Sequence, residues 1–389
     1  MSTTRKSGIY YDETVEYETE ENGGKIPVFI GKTGNTATEG YAVDGTQILT
    51  FKKFSEVNRS IANGGIGTNK ETNPLLSVLE DFFEENEVRS SEDNMGAPYV
   101  HVIDVGDGTS KTAWLTALTT AKKERKSIIE FYYGADSITD TGYTLPDFIN
   151  AAHASIMTET ANLNLRTGFA TKIGATDAQL MALNPATGGI LKSRVNIIEP
   201  DKFGKIAARI CTTPYYIEPG FLPFRSVSKG EFKSRTDAEI TALQNAGIII
   251  GIDEGVEDYI LTRINLGVST SYALDPRPAD AWLHHRFNAD NLLRRVFKAI
   301  YSQVKANETV SYIVKAQTQV DAVIDDEVDK ERMIKYDSKT GKGTKLVLRE
   351  SDSNPFDMKL EGPIQGINAT HAIYVSVTIK NPATKTVTV

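Results

Sequence analysis

The sequence predicts a mixed α/β (α+β) protein with a large α/β sandwich, a smaller C-terminal α+β region and strand-like termini. Strands and helices alternate at short spacing between residues 95 and 210, which is typical of helices packed on a largely parallel sheet. Two long helical segments and then strands follow residue 275. Both termini alternate apolar and polar residues and are separated from the body of the chain by turn-forming residues.

The elements of the first half of the chain follow from apolar periodicity. Alternating or continuous apolar runs predict strands at residues 25–31, 98–105, 127–133, 168–173 and 194–198. Apolar residues at helical spacing predict helices at residues 51–62, 74–86, 112–125, 145–163, 176–184 and 202–211. In the helix at 74–86, Leu75, Leu79 and Phe82 fall on one face, which indicates packing against a core.

The elements of the second half combine a hairpin with long helices. A helix at residues 237–245 is predicted to end at Gly247, because glycine tolerates the left-handed backbone at a helix end. Runs at 248–252 and 258–261 flank a turn and predict a β-hairpin. The remaining predictions are a linker at 275–278, helices at 279–305 and 308–333, a polar loop at 335–345 and a strand at 372–379.

Length and composition narrow the possible classes of protein. At 389 residues the chain exceeds the usual size of one core, so two or three domains are expected. A net charge of −8 argues against nucleic acid as a partner, because phosphate binding needs clustered Lys and Arg. The single cysteine, Cys211, cannot form an internal disulfide and is predicted to lie in a core. No signal peptide and no window of roughly 20 apolar residues is found, so we expect cytoplasmic folding without membrane insertion.

Candidate chemical motifs do not support an active site. Gly31-Lys32-Thr33 follows a strand, but a phosphate loop would need a glycine where Ile26 stands. The run at 106–112 lacks the glycine spacing of a phosphate fingerprint and predicts an ordinary strand-to-helix turn. His284 and His285 are adjacent, so on a helix they point about 100° apart and cannot bind one metal together. The sequence therefore predicts no catalytic residue, no cofactor site and no metal site.

The two termini are predicted to be arms that pair with neighbouring copies. An unpaired strand edge recruits another strand, often from another chain. The N-terminal arm presents one apolar face, although Glu13 falls within it, and the C-terminal arm is a short extended piece at 384–389. The face residues predicted to pair between subunits are Ile9, Tyr11, Val15, Tyr17, Thr384, Val387 and Val389. The breakers predicted to act as hinges are Gly23, Gly24, Asn381 and Pro382.

The helix at 279–305 carries a basic face, formed by Arg286, Arg294, Arg295 and Lys298. Acidic runs occur at 13–21 and 325–331. Two interpretations remain open: the basic residues pair with acids of the same subunit, or they contact another subunit or partner. Isolated exposed pairs contribute only about 0–1 kcal/mol each, so the second interpretation depends on a network repeated through an assembly.

Several segments, in this order, resemble contractile-tail sheath proteins of myophage tails, R-type bacteriocins and related injection machines. The strand and turn at 26–34 resemble the first core strand of that family. The run at 238–266 resembles its helix that ends before a β-hairpin, although the sequence at 262–266 only approximates an Arg-Thr-Leu-like run of many members. The long helix at 291–300, a second helix and the terminal alternating strand resemble its C-terminal region.

The resemblance implies a non-enzymatic structural subunit that polymerises helically around a rigid tail tube through strand exchange of its arms. Contraction of such a polymer drives the tube through a target envelope. The expected partners are other copies of the chain, the tail tube protein, and baseplate and tail-terminator proteins. The subunit would assemble in a host cytoplasm and belong to a virion tail or an injection particle. The alternatives are a cytoplasmic α/β enzyme with a small C-terminal β domain, or another self-assembling virion protein.

The resemblance also implies a division of the chain. Residues 1–24 would form the N-terminal arm, 25–275 an outer α/β domain, 276–380 an inner α+β domain and 381–389 the C-terminal arm. The inner domain would surround the tube. The basic face with Arg286, Arg294, Arg295 and Lys298 is then the candidate tube contact, because a small polar contact lets the tube slide.

Overall fold

The described residues of the computed structural model form two compact units. Those residues are 25–92, 95–161, 164–183, 194–217, 219, 223–228, 230–256, 259–265, 283–304, 310–350, 358–367 and 373–379. The larger unit contains the described residues between 25 and 159 and between 166 and 265. The smaller unit contains those between 160 and 165 and between 283 and 379.

The larger unit is built on an eight-stranded, mostly parallel sheet in the order β2-β3-β1-β4-β5-β6-β7-β8. Its strands are β1 (Pro27–Gly31), β2 (Leu49–Phe51), β3 (Val100–Asp104), β4 (Ile129–Tyr133), β5 (Thr167–Ala170), β6 (Val195–Ile198), β7 (Ile248–Val256) and β8 (Tyr259–Asn265). The strands from β3 to β7 run parallel, and β2 and β8 are antiparallel strands at the two ends. Every residue of β1 is buried, as expected for a parallel strand covered on both faces.

Helices cover both faces of this sheet. They are α1 (Phe54–Val57), α2 (Pro74–Glu92), α3 (Lys111–Ala121), α4 (Leu145–Ala161), α5 (Asp177–Met181), α6 (Phe203–Thr212) and α7 (Asp237–Asn245), with short 3-10 turns at Ile61–Asn63 and Ala135–Ser137. On β4, the centroid of the Phe131 ring lies 5.9 Å from that of Phe203 of α6. The next residue, Tyr132, points to the opposite face, and the centroid of its ring lies 5.3 Å from that of Phe148 of α4.

Gly204 allows α6 to pack closely against α2. A Cβ at this position would lie 2.0 Å from the backbone oxygen of Val78 and 3.0 Å from the backbone nitrogen of Phe82. Both atoms belong to the backbone of α2 and cannot rotate away. The glycine therefore sets the distance between the two helices that cover this face of the sheet.

Glu199, directly after β6, is a buried charge with specific partners. Its Oε2 accepts a 2.7 Å hydrogen bond from Arg235, and its Oε1 accepts one from the backbone N–H of Gly251 in β7. Arg235 also binds both carboxylate oxygens of Asp177 at 3.0 Å. Burial raises the pKa of Glu199 to about 7, against the opposing effect of Arg235.

The smaller unit packs two helices against a three-stranded antiparallel sheet. The helices are α8 (Leu283–Val304) and α9 (Val310–Asp329), and the sheet order β11-β10-β9 joins Ile373–Ile379, Met358–Ile364 and Val347–Glu350. The core contains Leu292, Val296, Phe297, Ile300, Ala316, Val320, Ile324, Leu348, Leu360, Ile364 and Leu165. Leu292, Val296 and Phe297 thus occupy the core positions that the periodicity of α8 predicts.

The structure corrects the prediction of one helix at 51–62. Residues Leu49–Phe51 form β2, which pairs antiparallel with β3, and Phe51 is buried. Only Phe54–Val57 is helical, followed by the single 3-10 turn. Pairing with a strand distant in sequence outweighed a weak local helical pattern. In addition, α2 extends to Glu92, and β5 ends at Ala170 instead of 173.

Other predictions are confirmed. Helix α7 has its predicted bounds, and β7 and β8 form the predicted hairpin. Cys211 is fully buried in α6, where burial raises the pKa of its thiol. Across the parts of the chain that the structure describes, no helix combines the length and apolar character that membrane spanning requires.

Candidate assembly surface

Among the strands that the structure describes in the smaller unit, β11 is an outermost one. β10 pairs with β11 along its whole length, from Met358 opposite Ile379 to Ile364 opposite Ile373. No strand among the described residues pairs with the other edge of β11. The backbone N–H and C=O groups along such an edge can accept one more strand.

The outer edge of β9 differs, because a side chain of α9 binds it. Gln317 Oε1 accepts a 2.7 Å hydrogen bond from the backbone N–H of Leu348. The Nε2 of the same amide donates to the backbone oxygen of Leu346 at 2.9 Å. The two backbone groups lie on the same side of the strand, so one side-chain amide occupies positions that an added strand would use. The β11 edge is therefore better suited to strand addition.

The middle strand β10 has one apolar and one charged face. Met358, Leu360 and Ile364 are buried against the helices, Gly362 is also buried, and Lys359, Glu361 and Pro363 are half-buried. On the charged face, Glu361 binds Arg349 at 2.8 Å and Lys359 at 2.7 Å. Hydrogen bonds from these two cations lower the pKa of Glu361. Only one face of this sheet is packed against α8 and α9.

Part of the basic face of α8 is engaged within the subunit. Arg295 binds Asp326 at 2.5 Å and also binds Glu327, both on α9. Glu327 is fully buried, and Arg332 lies 3.8 Å from it. The hydrogen bond from Arg295 lowers the pKa of Asp326. Within the smaller unit, Arg295 thus links the two long helices.

The other residues of that face have different environments. Arg294 donates a 2.5 Å hydrogen bond to the backbone oxygen of Leu165. Lys298 is exposed and Arg286 is half-buried. The structure thus shows Arg295 paired with acids of the same subunit, which was one of the two interpretations of the basic face, whereas Arg294 contacts a backbone oxygen. The role of these residues towards a tube stays a prediction.

The predicted arms and hinges lie outside the described residues. This applies to Ile9, Tyr11, Val15, Tyr17, Gly23, Gly24, Asn381, Pro382, Thr384, Val387 and Val389. The described chain begins at Lys25, whose backbone N–H donates to the oxygen of Cys211 at 2.8 Å. Its ammonium group donates to Ile210 at 3.1 Å and also to Thr213. Lys25 therefore fixes the start of the body to the C-terminal end of α6, where carbonyl groups need donors.

Beside the crevice where an α/β enzyme would bind its substrate, polar groups of two loops hydrogen-bond to one another. In the order β3-β1-β4, the chain reverses direction across the sheet between β1 and β4, and ligands commonly bind at such a point. Beside it, the buried Asp104 accepts hydrogen bonds from Thr33 at 2.7 Å, Tyr41 at 2.5 Å and the N–H of Gly106 at 2.7 Å. Asn35 donates to it at 3.2 Å. These contacts hold two loops together and use both carboxylate oxygens.

The remaining sequence motifs in this region are also structural. Ser110 precedes α3, and its hydroxyl accepts from the backbone N–H of Ala113 at 3.3 Å, as an ordinary helix cap does. The predicted strand-to-helix turn at 106–112 is therefore confirmed.

The adjacent histidines lie on α8 of the smaller unit. Burial lowers the pKa of His284 to about 3, and the centroid of its ring lies 4.0 Å from that of His285. Within the described ranges, no three His, Cys, Asp or Glu side chains are grouped to hold a metal ion.

Comparison with solved structures decides what fold this is. No protein-family model matches the sequence, and no curated protein matches it significantly. The sheath tail protein from Desulfitobacterium hafniense is similar with a TM-score of 0.60 and 10% identity, covering 96% of this chain and 100% of that one. The helical sheath of the anti-feeding prophage in its contracted state gives a TM-score of 0.55 and 10% identity over 100% and 99%. The sheath tail protein from Listeria innocua gives 0.60 and 8% over 92% and 96%.

The chain has the fold of contractile sheath proteins. The similarity extends over nearly the whole length of each compared chain, so the sheath-protein fold includes both compact units. The resemblance seen in the sequence, carried by short segments in a fixed order, is thus confirmed at the level of fold. At about 10% identity, only the order of elements and a few strand and turn patterns are visible in the sequence.

Two features of this surface were not predicted from the sequence. The amide of Gln317 at the edge of β9 has no sequence signal, because it depends on how α9 packs against the sheet. The lysine-rich loop at 335–345 was identified only as polar. The lysine spacing at 335, 339, 342 and 345 could have drawn attention to it.

Proposed function

We propose that this protein is a structural, non-enzymatic subunit of a contractile sheath that polymerises helically around a rigid tube. The observation that carries the proposal is the sheath-protein fold over nearly the whole chain, shared with a helical sheath in its contracted state. The position of β11 at the edge of the described strands supports it, because a polymer linked by strand addition needs such an edge. The charge of −8 and the absence of a phosphate-loop spacing agree with a protein that takes no nucleic acid or nucleotide.

The arms are proposed to supply the added strands. Residues 1–24 and 381–389 of neighbouring copies would pair with the small sheet, and Gly23, Gly24, Asn381 and Pro382 would allow the bodies to rotate. Each backbone hydrogen bond contributes about 1 kcal/mol, and ordering an arm costs a comparable amount per residue. The apolar face with Tyr11 and Val15 is therefore needed in addition to the backbone bonds. Exposed apolar side chains at Val314 and Val347 offer contact area on the smaller unit.

The two units are proposed to have different positions in the sheath. Residues 276–380 would form the inner domain against the tube, and residues 25–275 the outer domain. Baseplate and tail-terminator proteins would bind the ends of the polymer. The baseplate part is supported by a similar chain in the anti-feeding prophage baseplate, with a TM-score of 0.60 and 12% identity. The particle would assemble in a host cytoplasm and become part of a virion tail or an injection particle.

Electron microscopy of the purified protein tests this function. The full chain is expected to form tubes or rings, and a chain lacking residues 381–389 should stay folded but no longer polymerise. The variant Tyr11→Asp/Val15→Asp should also fail to assemble, with its melting temperature within a few degrees of the wild type. Tubes formed by both variants would contradict strand exchange. A discrete monomer or dimer of the wild type would favour the enzyme alternative.

A further inference from the structure

A rigid loop of the smaller unit presents a set of lysines to solvent. This basic loop, residues 335–345, carries exposed side chains at Lys335, Lys339, Lys342 and Lys345. It connects the segment after α9 to β9. In a chain of net charge −8, it is a local concentration of positive charge.

Backbone and side-chain contacts hold the basic loop in one conformation. The backbones of Asp337 and Lys342 form an antiparallel bridge, in which the N–H of Asp337 donates to the oxygen of Lys342 at 2.8 Å. The backbone N–H of Thr344 donates to the oxygen of Ile334 at 2.8 Å. Gly343 is buried with φ of 101°, and a Cβ there would lie 2.3 Å from the oxygen of Lys335. Only glycine allows this crossing of the two sides of the loop. The lysines therefore extend from a preorganised backbone.

The charge of the basic loop is not neutralised within the part of the subunit that the structure describes. Its acid, Asp337, accepts from the backbone N–H of Lys339 and the hydroxyl of Thr340, both at 2.9 Å, and is used in the turn. Lys345 lies over the ring of Tyr336 at 5.0 Å. No carboxylate of the described residues forms an ion pair with a lysine of this loop. The loop thus matches an acidic partner.

The basic loop lies at the end of the sheet where β11 begins. Lys345 donates its backbone N–H to Pro363 at 2.9 Å, next to Ile364, the last residue of β10. Ile364 pairs with Ile373, the first residue of β11. A strand added to the outer edge of β11 would therefore have one of its ends at the same end of the sheet as the basic loop, which follows the β9 side.

We infer that the basic loop binds the acidic half of the N-terminal arm of a second copy, and that this arm runs antiparallel to β11. The inference rests on the proposed function, because it assigns a direction to the strand exchange proposed there. The acidic residues of the arm are Asp12, Glu13, Glu16, Glu18, Glu20 and Glu21, with no Lys or Arg between residues 7 and 24. In the antiparallel direction, the end with Glu18, Glu20 and Glu21 reaches the loop.

The dimensions agree with this direction. From the added strand to β9 is about three strand spacings, or roughly 14 Å. If the arm turns across the end of the sheet after Tyr17, residues 18–21 span about 13 Å in that direction, and a lysine side chain adds further reach. Each exposed pair changes affinity by up to about fivefold, so several pairs together would direct the arm to this edge in low salt.

A charge exchange on the full-length protein tests the inference. The loop variant Lys339→Glu/Lys342→Glu should lower polymer formation at least tenfold at low ionic strength, as measured by sedimentation and electron microscopy. The arm variant Glu18→Lys/Glu20→Lys should have a similar defect, and combining the two should restore assembly. Combining the loop variant with Asp12→Lys/Glu13→Lys should not restore it. The control Lys52→Glu/Lys53→Glu, at exposed positions of the larger unit, should assemble as the wild type does.

The outcomes separate the inference from the proposed function. Normal assembly of the loop variant, or no rescue by the combined variant, would overturn the inference while arm-dependent tubes still supported a sheath. Rescue by the Asp12/Glu13 exchange would overturn the antiparallel direction. Normal tubes with loss of tube-protein binding would overturn the arm as partner in favour of the tube. A wild-type protein that never polymerises would overturn both the sheath and the docking of the arm.

Discussion

Replacing Arg295 with methionine should destabilise the smaller unit by leaving a buried carboxylate without its main partner. Glu327 is fully buried, with 0% of its side chain accessible to solvent, whereas 21% of the Arg295 side chain is accessible. Removing one partner of a buried ion pair typically costs about 3–5 kcal/mol. Because Arg332 stays 3.8 Å from Glu327 and Arg295 is partly solvated, we expect the lower end, about 3 kcal/mol.

Hydrogen exchange measured by mass spectrometry can detect this change within one unit. A loss of about 3 kcal/mol corresponds to roughly hundredfold faster exchange in peptides from α8 and α9. Peptides from β6 and α6 in the larger unit are the internal control. The double variant Arg295→Met/Glu327→Leu should recover to within about 1 kcal/mol, because well-packed apolar replacements of a buried pair are often neutral. Unchanged protection in the single variant, or no recovery in the double variant, would refute the reasoning.

Three further predictions follow from individual contacts. Gly204→Ala places a Cβ against the oxygen of Val78 and should cost about 2 kcal/mol or more, lowering the melting temperature by roughly 4–8 °C. Gly64→Ala, whose Cβ would meet no atom within 4 Å but whose φ is 78°, measures backbone strain without a clash and should cost only about 1 kcal/mol. Because the pKa of Glu199 is raised from 4.5 to about 7, its stabilising effect is complete below pH 4.5 and is lost as pH rises through 7. In denaturant titrations, the free energy of unfolding of the Glu199→Gln variant should fall by up to about 3 kcal/mol less than that of the wild type as pH rises. The same dependence on pH in both proteins would contradict this prediction. Lys298→Glu should weaken co-assembly with the tube at low salt, and an unchanged salt dependence would exclude it as a tube contact.

The local elements of this protein could be predicted because their burial leaves a pattern in the sequence. Each residue of Pro27–Gly31 is buried on one or the other face of the sheet, so β1 is a continuous apolar run. Helix α8 repeats its core residues Leu292 and Val296 at helical spacing. The basic face of α8 was equally visible, but whether Arg295 binds within or between subunits was not. The arms remain predictions, since their residues lie outside the described ranges.

The sequence alone determined most of the segments that form strands and helices of an α/β protein and several of the residues that enter a core. Only the tertiary structure decided that Leu49–Phe51 pairs with β3, that Gln317 binds the edge of β9 and that Arg295 binds Glu327. It also decided that β11 is outermost among the described strands of its sheet, with the lysines of 335–345 at one end of that sheet. The physical reason is distance along the chain. Periodicity records how a segment meets a core, whereas edges, ion pairs and loop positions depend on contacts between residues far apart in sequence.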